Sequence, residues 1–185
     1  MKPRIRDRIY ELIHDDIFFI LINYIIAYIP FWTVRKCFYR MFGMKIGKKS
    51  RIAMRCVVLG PRGIEIGDGN VINEFVLLDG RSGLKIGNDN SISMYAKIYS
   101  GTHVTDSPTF EYRGLKTAIQ DNCWIGTSAI IMPGSIISDF SVVGANSLYR
   151  GLTKEKGIYQ GVPATLVRFR HIDEKYHFDY RSYFR

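Results

Sequence analysis

From Ile46 onward an aliphatic residue returns every sixth position: Ile46, Ile52, Val58, then Ile66, Ile72, Leu78, then Ile86, Ile92, Ile98, and later Ile119, Ile125, Ile131, Ile137 and Val143. Two extra residues separate the first three triplets. Four positions after most of them stands a small or short residue, such as Ser50, Cys56, Asn70, Ser82, Asn90, Ala96, Thr102, Cys123, Ala129 or Ser147. A period of six matches neither the 3.6 of a helix nor the alternation of a long strand, so each hexapeptide must be a short strand plus a turn. Three such units close a triangular coil whose aliphatic residues point inward and stack on their equivalents above and below. Glycine, Asn and Asp cluster just after the aliphatic position, as in IGDGN, IGNDN and IQDNC, where the turn is expected to need torsions unusual for L-residues. The stretch from Ile46 to about Lys154 has room for roughly five coils. This predicts an all-β chain built as a parallel β-solenoid; the period carries no handedness.

A chain of 185 residues with 46% apolar content supports one core with terminal extensions. The division read from the pattern is a helical, apolar and basic extension over 1–43, the repeat domain over 44–165, and a basic, aromatic tail over 166–185. The net charge of +9 favours a polyanionic partner: nucleic acid, an acidic membrane surface or a phosphorylated cofactor. No nucleic-acid motif supports the first. Cys37, Cys56 and Cys123 are odd in number and widely spaced, which suits a reducing, cytoplasmic setting.

The N-terminus carries an apolar run from Ile17 to Ile29, 13 residues interrupted by Asn23. It is short of the roughly 20 that span a bilayer, and Asp15 and Asp16 before it argue against a signal peptide. Upstream, Ile5, Ile9, Leu12 and Ile13 form one helical stripe among basic residues. Helices capping the end of the solenoid or packing between subunits are expected, with peripheral contact of residues 4–40 at the inner face of the cytoplasmic membrane as the rival.

The spacing fails once in a large way: 21 residues separate Ile98 from Ile119 where six are due. The extruded loop, 103–117, opens with His103, the only histidine of the repeat region. Long loops on rigid scaffolds commonly carry function. The zinc version of this architecture needs three histidines, and His14, His171 and His177 lie outside the repeats, so no metal site is expected.

Here the sequence resembles the maltose, galactoside and colanic acid O-acetyltransferases, hexapeptide-repeat enzymes with a left-handed β-helix. The resemblance covers about Met44 to Arg168. It rests on GTH (Gly101 to His103) with SP-x-F (Ser107 to Phe110), on WIGTSAIIMPG (Trp124 to Gly134), on VVGANS (Val142 to Ser147) and on GVPA (Gly161 to Ala164). It implies left-handedness, acetyl-CoA as co-substrate and a homotrimer with active sites between neighbouring prisms. It makes His103 the general base, which suits an imidazole of pKa near 6.5 facing a poorly nucleophilic sugar hydroxyl. By motif position it implies Thr127, Ala145, Arg150 and Arg168 as coenzyme A contacts, the Thr127 N–H as oxyanion donor, and Asn73 and Asp79 at the acceptor. Relatives usually carry threonine where Arg150 stands. Asp79, Asp106 and Glu111 are candidates to orient His103.

The reading is therefore acetyl transfer to a sugar hydroxyl in exopolysaccharide, capsule or lipopolysaccharide biosynthesis. N-acylation of a nucleotide-linked amino sugar, O-acylation of serine and a non-catalytic scaffold stay open on the same fold, because no residue separates a hydroxyl from an amine acceptor.

Overall fold

A computed structural model describes residues 16–172. The stripe formed by Ile5, Ile9, Leu12 and Ile13, and the tail after residue 172, lie outside the described residues. Three parallel sheets form the faces of a triangular prism. The first face stacks Lys45–Ile46, Ile64–Ile66, Leu84–Ile86, Thr117–Ile119 and Ile136–Ile137. The second stacks Arg51–Ile52, Val71–Ile72, Ser91–Ile92, Trp124–Ile125, Val142–Val143 and Gly157–Gly161, and ends with Ala164–Phe169 running antiparallel. The third stacks Val57–Leu59, Leu77–Asp79, Lys97–Ile98, Ile130–Ile131 and Leu148–Tyr149. Five coils and the start of a sixth result, slightly more than the repeat count suggests, because the segment after Lys154 continues the second face.

The six-residue period is the register of the prism. Ile46, Ile66, Ile86, Ile119 and Ile137 pair in one column. Ile52, Ile72, Ile92, Ile125 and Val143 form a second, and Val58, Leu78, Ile98 and Ile131 a third that ends in Tyr149. All are buried in one continuous core. Each such side chain contributes about 1.5–3 kcal/mol of burial, which is why strands of two or three residues hold. Tyr149 and Tyr159 close the upper end edge to face, centroids 5.0 Å apart.

The corners take the expected torsions: Gly69 in IGDGN, Asp89 in IGNDN and Asn122 in IQDNC all have a left-handed φ. Left-handed torsions fall mostly on non-glycine residues, Lys49, Asp89, Asn122, Phe140 and Lys156 at the first corner and Arg55, Phe75, Tyr95, Ser128 and Asn146 at the second. Where a glycine directly follows the aliphatic residue, as at Gly67 and Gly126, it serves close approach. A Cβ on Gly67 would lie 2.6 Å from the Gly87 carbonyl oxygen, and one on Gly126 2.5 Å from the Ala145 nitrogen. Ser82 and Thr102 depart from the interior pattern and are half-buried; Asp79 and Ser100 are the buried residues at the third corner.

The N-terminal extension is less regular than a pair of α-helices. Its described part holds α-helical residues over 16–20 that run into a π-helical stretch, Leu21–Ile25, then a 3-10 turn, Ile26–Tyr28, and the α-helix Trp32–Met41. Ile22, Ile26 and Tyr39 join the core. Its polar side chains bond main-chain groups on the open edge of every face. Arg40 donates to the Ile46 carbonyl and Arg35 to that of Ile52. Asn23 donates to the Val58 carbonyl (3.0 Å) and accepts from the Val58 N–H (2.7 Å). A groove of about 660 Å³ runs between this segment and the third corner of the first two coils, lined among others by Phe18, Phe19, Met41, Phe42 and Arg62. Among the described residues, no helix is long and apolar enough to cross a membrane.

Candidate active site

The extruded loop is a β-hairpin at the third corner of the third coil. Gly101–His103 pairs antiparallel with Tyr112–Gly114, so that His103 faces Tyr112. The ring of His103 is exposed, and its Nδ1 lies 2.6 Å from the Phe110 carbonyl oxygen. A carbonyl can only accept, so Nδ1 carries the proton and Nε2 keeps its lone pair. Phe110 adopts a left-handed φ of 47°, which turns that carbonyl back across the hairpin. The orienting group is thus main-chain oxygen; Asp106 and Glu111 are exposed, and Glu111 bonds Ser107 and Thr109 instead.

The hairpin is fastened to the coil beneath. The Tyr112 hydroxyl is 2.6 Å from Ser82 Oγ, and the Arg81 guanidinium lies 5.4 Å from the Tyr112 ring centroid. Gly101 and Gly114 let these parts touch, since a Cβ on Gly101 would overlap the Tyr112 ring and one on Gly114 would overlap Ser82. Arg81 is held in turn by Asp79, Nε to Oδ1 at 2.9 Å and Nη2 to Oδ2 at 3.0 Å. The Arg81 and Ser100 amides donate to the same carboxylate at 3.1 Å each. Burial pushes the Asp79 carboxyl up, but Arg81 and the amides outweigh it and hold it below the usual carboxylate range. Asp79 is wholly buried and its four lone-pair directions are used, so it supports the hairpin from beneath and offers no side-chain oxygen to an acceptor. Phe110 closes the SP-x-F motif and Ser82 is one of the short residues of the repeat, but neither pattern points to its role here; Tyr112 and Arg81 carry no motif signal, and only the position of Arg81 and Ser82 one coil below the insertion could have pointed to them.

The other predicted residues divide between corners. Thr127 and Ala145 are exposed and stack one coil apart at the second corner, where the Asn146 amide donates to the Thr127 carbonyl at 2.8 Å. Asn73 stands at the same corner two coils lower, its side chain donating to the Ile92 carbonyl at 2.9 Å. Arg150 is exposed at the third corner, two coils beyond His103. Arg168 comes to neither: it pairs with Ile158 at the far edge of the second face, on a strand belonging to that sheet and not to a separate tail. Trp124 lies outward on the second face, 53% exposed, its Nε1 donating to Ser93 Oγ at 3.0 Å. Among the described residues no group of three His, Cys, Asp or Glu could hold a metal.

One protomer therefore keeps His103 and the Thr127–Ala145 pair at opposite ends of the third face. A face of about six residues spans roughly 20 Å at 3.3 Å per residue.

No family model matches the chain. An Escherichia coli protein named for acetyl transfer in colanic acid biosynthesis is 30% identical over 131 residues, 71% of this chain and 72% of the relative. A hexapeptide-repeat acetyltransferase of Vibrio cholerae, solved alone and complexed with acetyl coenzyme A, superimposes with a TM-score of 0.76 at 25% identity, covering 80% of this chain and 86% of that one. A maltose O-acetyltransferase of Clostridium difficile shares the fold with a TM-score of 0.81 at 20% identity, over 88% of this chain and 89% of its own. With its repeat, its prism and this coverage, the chain belongs to the hexapeptide-repeat acetyltransferases of left-handed β-helix fold.

Proposed function

We propose that the protein transfers the acetyl group of acetyl-CoA directly to a sugar hydroxyl during synthesis of a surface polysaccharide, with His103 as general base. The observation that carries this reading is the exposed His103 ring with Nδ1 committed to the Phe110 carbonyl, which leaves Nε2 as the free base. Nε2 accepts the hydroxyl proton as the oxygen bonds to the thioester carbon. The carbon–sulfur bond then breaks, and the same proton passes to the departing thiolate. A thioester is activated enough that no covalent enzyme intermediate is needed.

The second corner suits the co-substrate. Thr127 and Ala145 are exposed, and the Thr127 N–H has no partner among the described residues and could meet the developing oxyanion. The distance along the third face supports a homotrimer in which the third corner of one chain, with His103 and Arg150, lines a crevice with the second corner of its neighbour, with Thr127, Ala145 and Asn73. Arg150 would then meet the phosphates. The polysaccharide acceptor draws on the colanic acid relative's name. The test is thiol release from acetyl-CoA across a panel of sugars and lipid-linked oligosaccharides, with His103→Ala as control. Release that depends on a sugar hydroxyl and on His103 supports the reading, and undiminished release in the variant overturns it.

A further inference from the structure

Charge along this chain is segregated. Between Asp16 and Glu65 there is no acidic residue, while Arg35, Lys36, Arg40, Lys45, Lys48, Lys49, Arg51, Arg55 and Arg62 are basic. The remaining 17 Lys and Arg are matched in number by the chain's 17 Asp and Glu. The whole net charge of +9 therefore resides in the N-terminal segment and the first coil. Arg35 is buried, but Arg40, Lys48, Lys49, Arg55 and Arg62 are exposed. Lys48 and Lys49 form no side-chain ion pair among the described residues.

The same end exposes large apolar side chains. Ile20 is 51% exposed, Tyr24 65%, Ile25 54% and Phe31 67%, while their neighbours Ile22, Ile26 and Ala27 are buried against the first coil. The segment thus has one face spent on capping the core and a second face uncovered. Phe19 and Met41 continue that face into the groove beside Arg62. Single exposed apolar residues need no explanation, but a contiguous row of them marks an interaction surface.

We propose that this end of the prism docks on an anionic membrane surface, with Ile20, Tyr24, Ile25 and Phe31 entering the headgroup boundary and the surrounding Lys and Arg side chains meeting lipid phosphates. An aliphatic and aromatic face ringed by cations matches an acidic bilayer in both respects. Face-to-face pairing with a second copy would bring two concentrations of positive charge together. Nucleic acid would use the charge and leave the isoleucines without a partner. The His103 hairpin sits two coils up, roughly 10 Å at 4.8 Å per coil, within reach of an acceptor carried at a lipid surface. The docking itself does not depend on the transfer chemistry proposed above.

The test is flotation of the full chain with vesicles of phosphatidylcholine containing phosphatidylglycerol, against pure phosphatidylcholine, at low and high salt. Binding is expected to anionic vesicles only and to be lost at high salt. Lys48→Glu with Lys49→Glu should weaken it at least about tenfold. Tyr24→Asp with Ile25→Asp should abolish it, with circular dichroism unchanged and molar mass by light scattering unchanged. Equal binding to neutral vesicles, no binding to either, or a fall in molar mass of the Tyr24→Asp, Ile25→Asp variant would overturn the proposal, the last by assigning the face to another copy of the chain.

Discussion

His103 and Phe110 are joined across the hairpin by a 2.6 Å contact between Nδ1 and a main-chain carbonyl, and that contact depends on a left-handed torsion at Phe110. The base is thus held by backbone geometry and not by a carboxylate, so no neighbouring negative charge is needed to fix its tautomer.

Substituting His103 with Ala should lower the rate of acetyl transfer by about a hundredfold or more. At position 110, Gly accepts the left-handed torsion and keeps the carbonyl in place, whereas Pro is confined near −65°. Phe110→Gly should stay close to wild type, while Phe110→Pro should lose at least about tenfold in kcat through misplacement of the base. Steady-state kinetics on both variants checks this, and equal rates would separate His103 from the Phe110 carbonyl.

Asp79→Asn should destabilise the protein and loosen the hairpin. An amide in place of the carboxylate sets a donor against groups that only donate, costing about 1–3 kcal/mol, toward the lower end because Arg81 is half exposed. The Asp79 carboxyl is held below its ordinary range. Its contribution is therefore present above about pH 4 and is lost as the pH falls through the depressed value. Urea midpoints of wild type and variant should differ at pH 7 and converge in acid, and faster amide exchange over 101–114 in the variant would report the loosened hairpin.

Burial pushes the thiols of Cys56 and Cys123 up to about 12, while Cys37 is exposed. A thiol reagent at pH 8 should label one cysteine in the folded protein and three in denaturant. A raised folded value stabilises only while the thiols stay protonated. Stability should hold below the ordinary value of 9.0, and fall from there toward pH 12 as the unfolded chain ionises first. Early labelling of Cys56 or Cys123 would show that the column opens locally.

Ile98 and Ile125 are fully buried in the aliphatic columns, whereas Ile136 on the first face is 40% exposed. Truncating either of the first two to Ala should cost about 2–5 kcal/mol. The same change at Ile136 should cost about 1 kcal/mol or less. Chemical denaturation of the three variants measures the contrast.

The aliphatic columns were legible in the sequence because one residue in six is repeated by the same steric requirement in each coil. His103 was legible because the insertion breaks that regularity. The Phe110 carbonyl was not, since main-chain oxygen has no sequence signature. Asp79 read as a polar residue at the acceptor, and its burial follows from the third corner, where extra residues shift the inward position. The division of Thr127 from His103 was legible in outline, because Thr127 follows the second aliphatic residue of its triplet and His103 the third, and the resemblance implied sites between neighbouring prisms.

A ladder of identical rungs has no natural stopping point, and an unfinished rung is an invitation to add another molecule's strand. Asn23, Arg35 and Arg40 sit where a preceding rung would have offered its peptide groups. With those positions taken by side chains, a molecule arriving at the lower edge meets a carbonyl already bonded on every face, and growth of a filament from that edge is opposed within the chain itself.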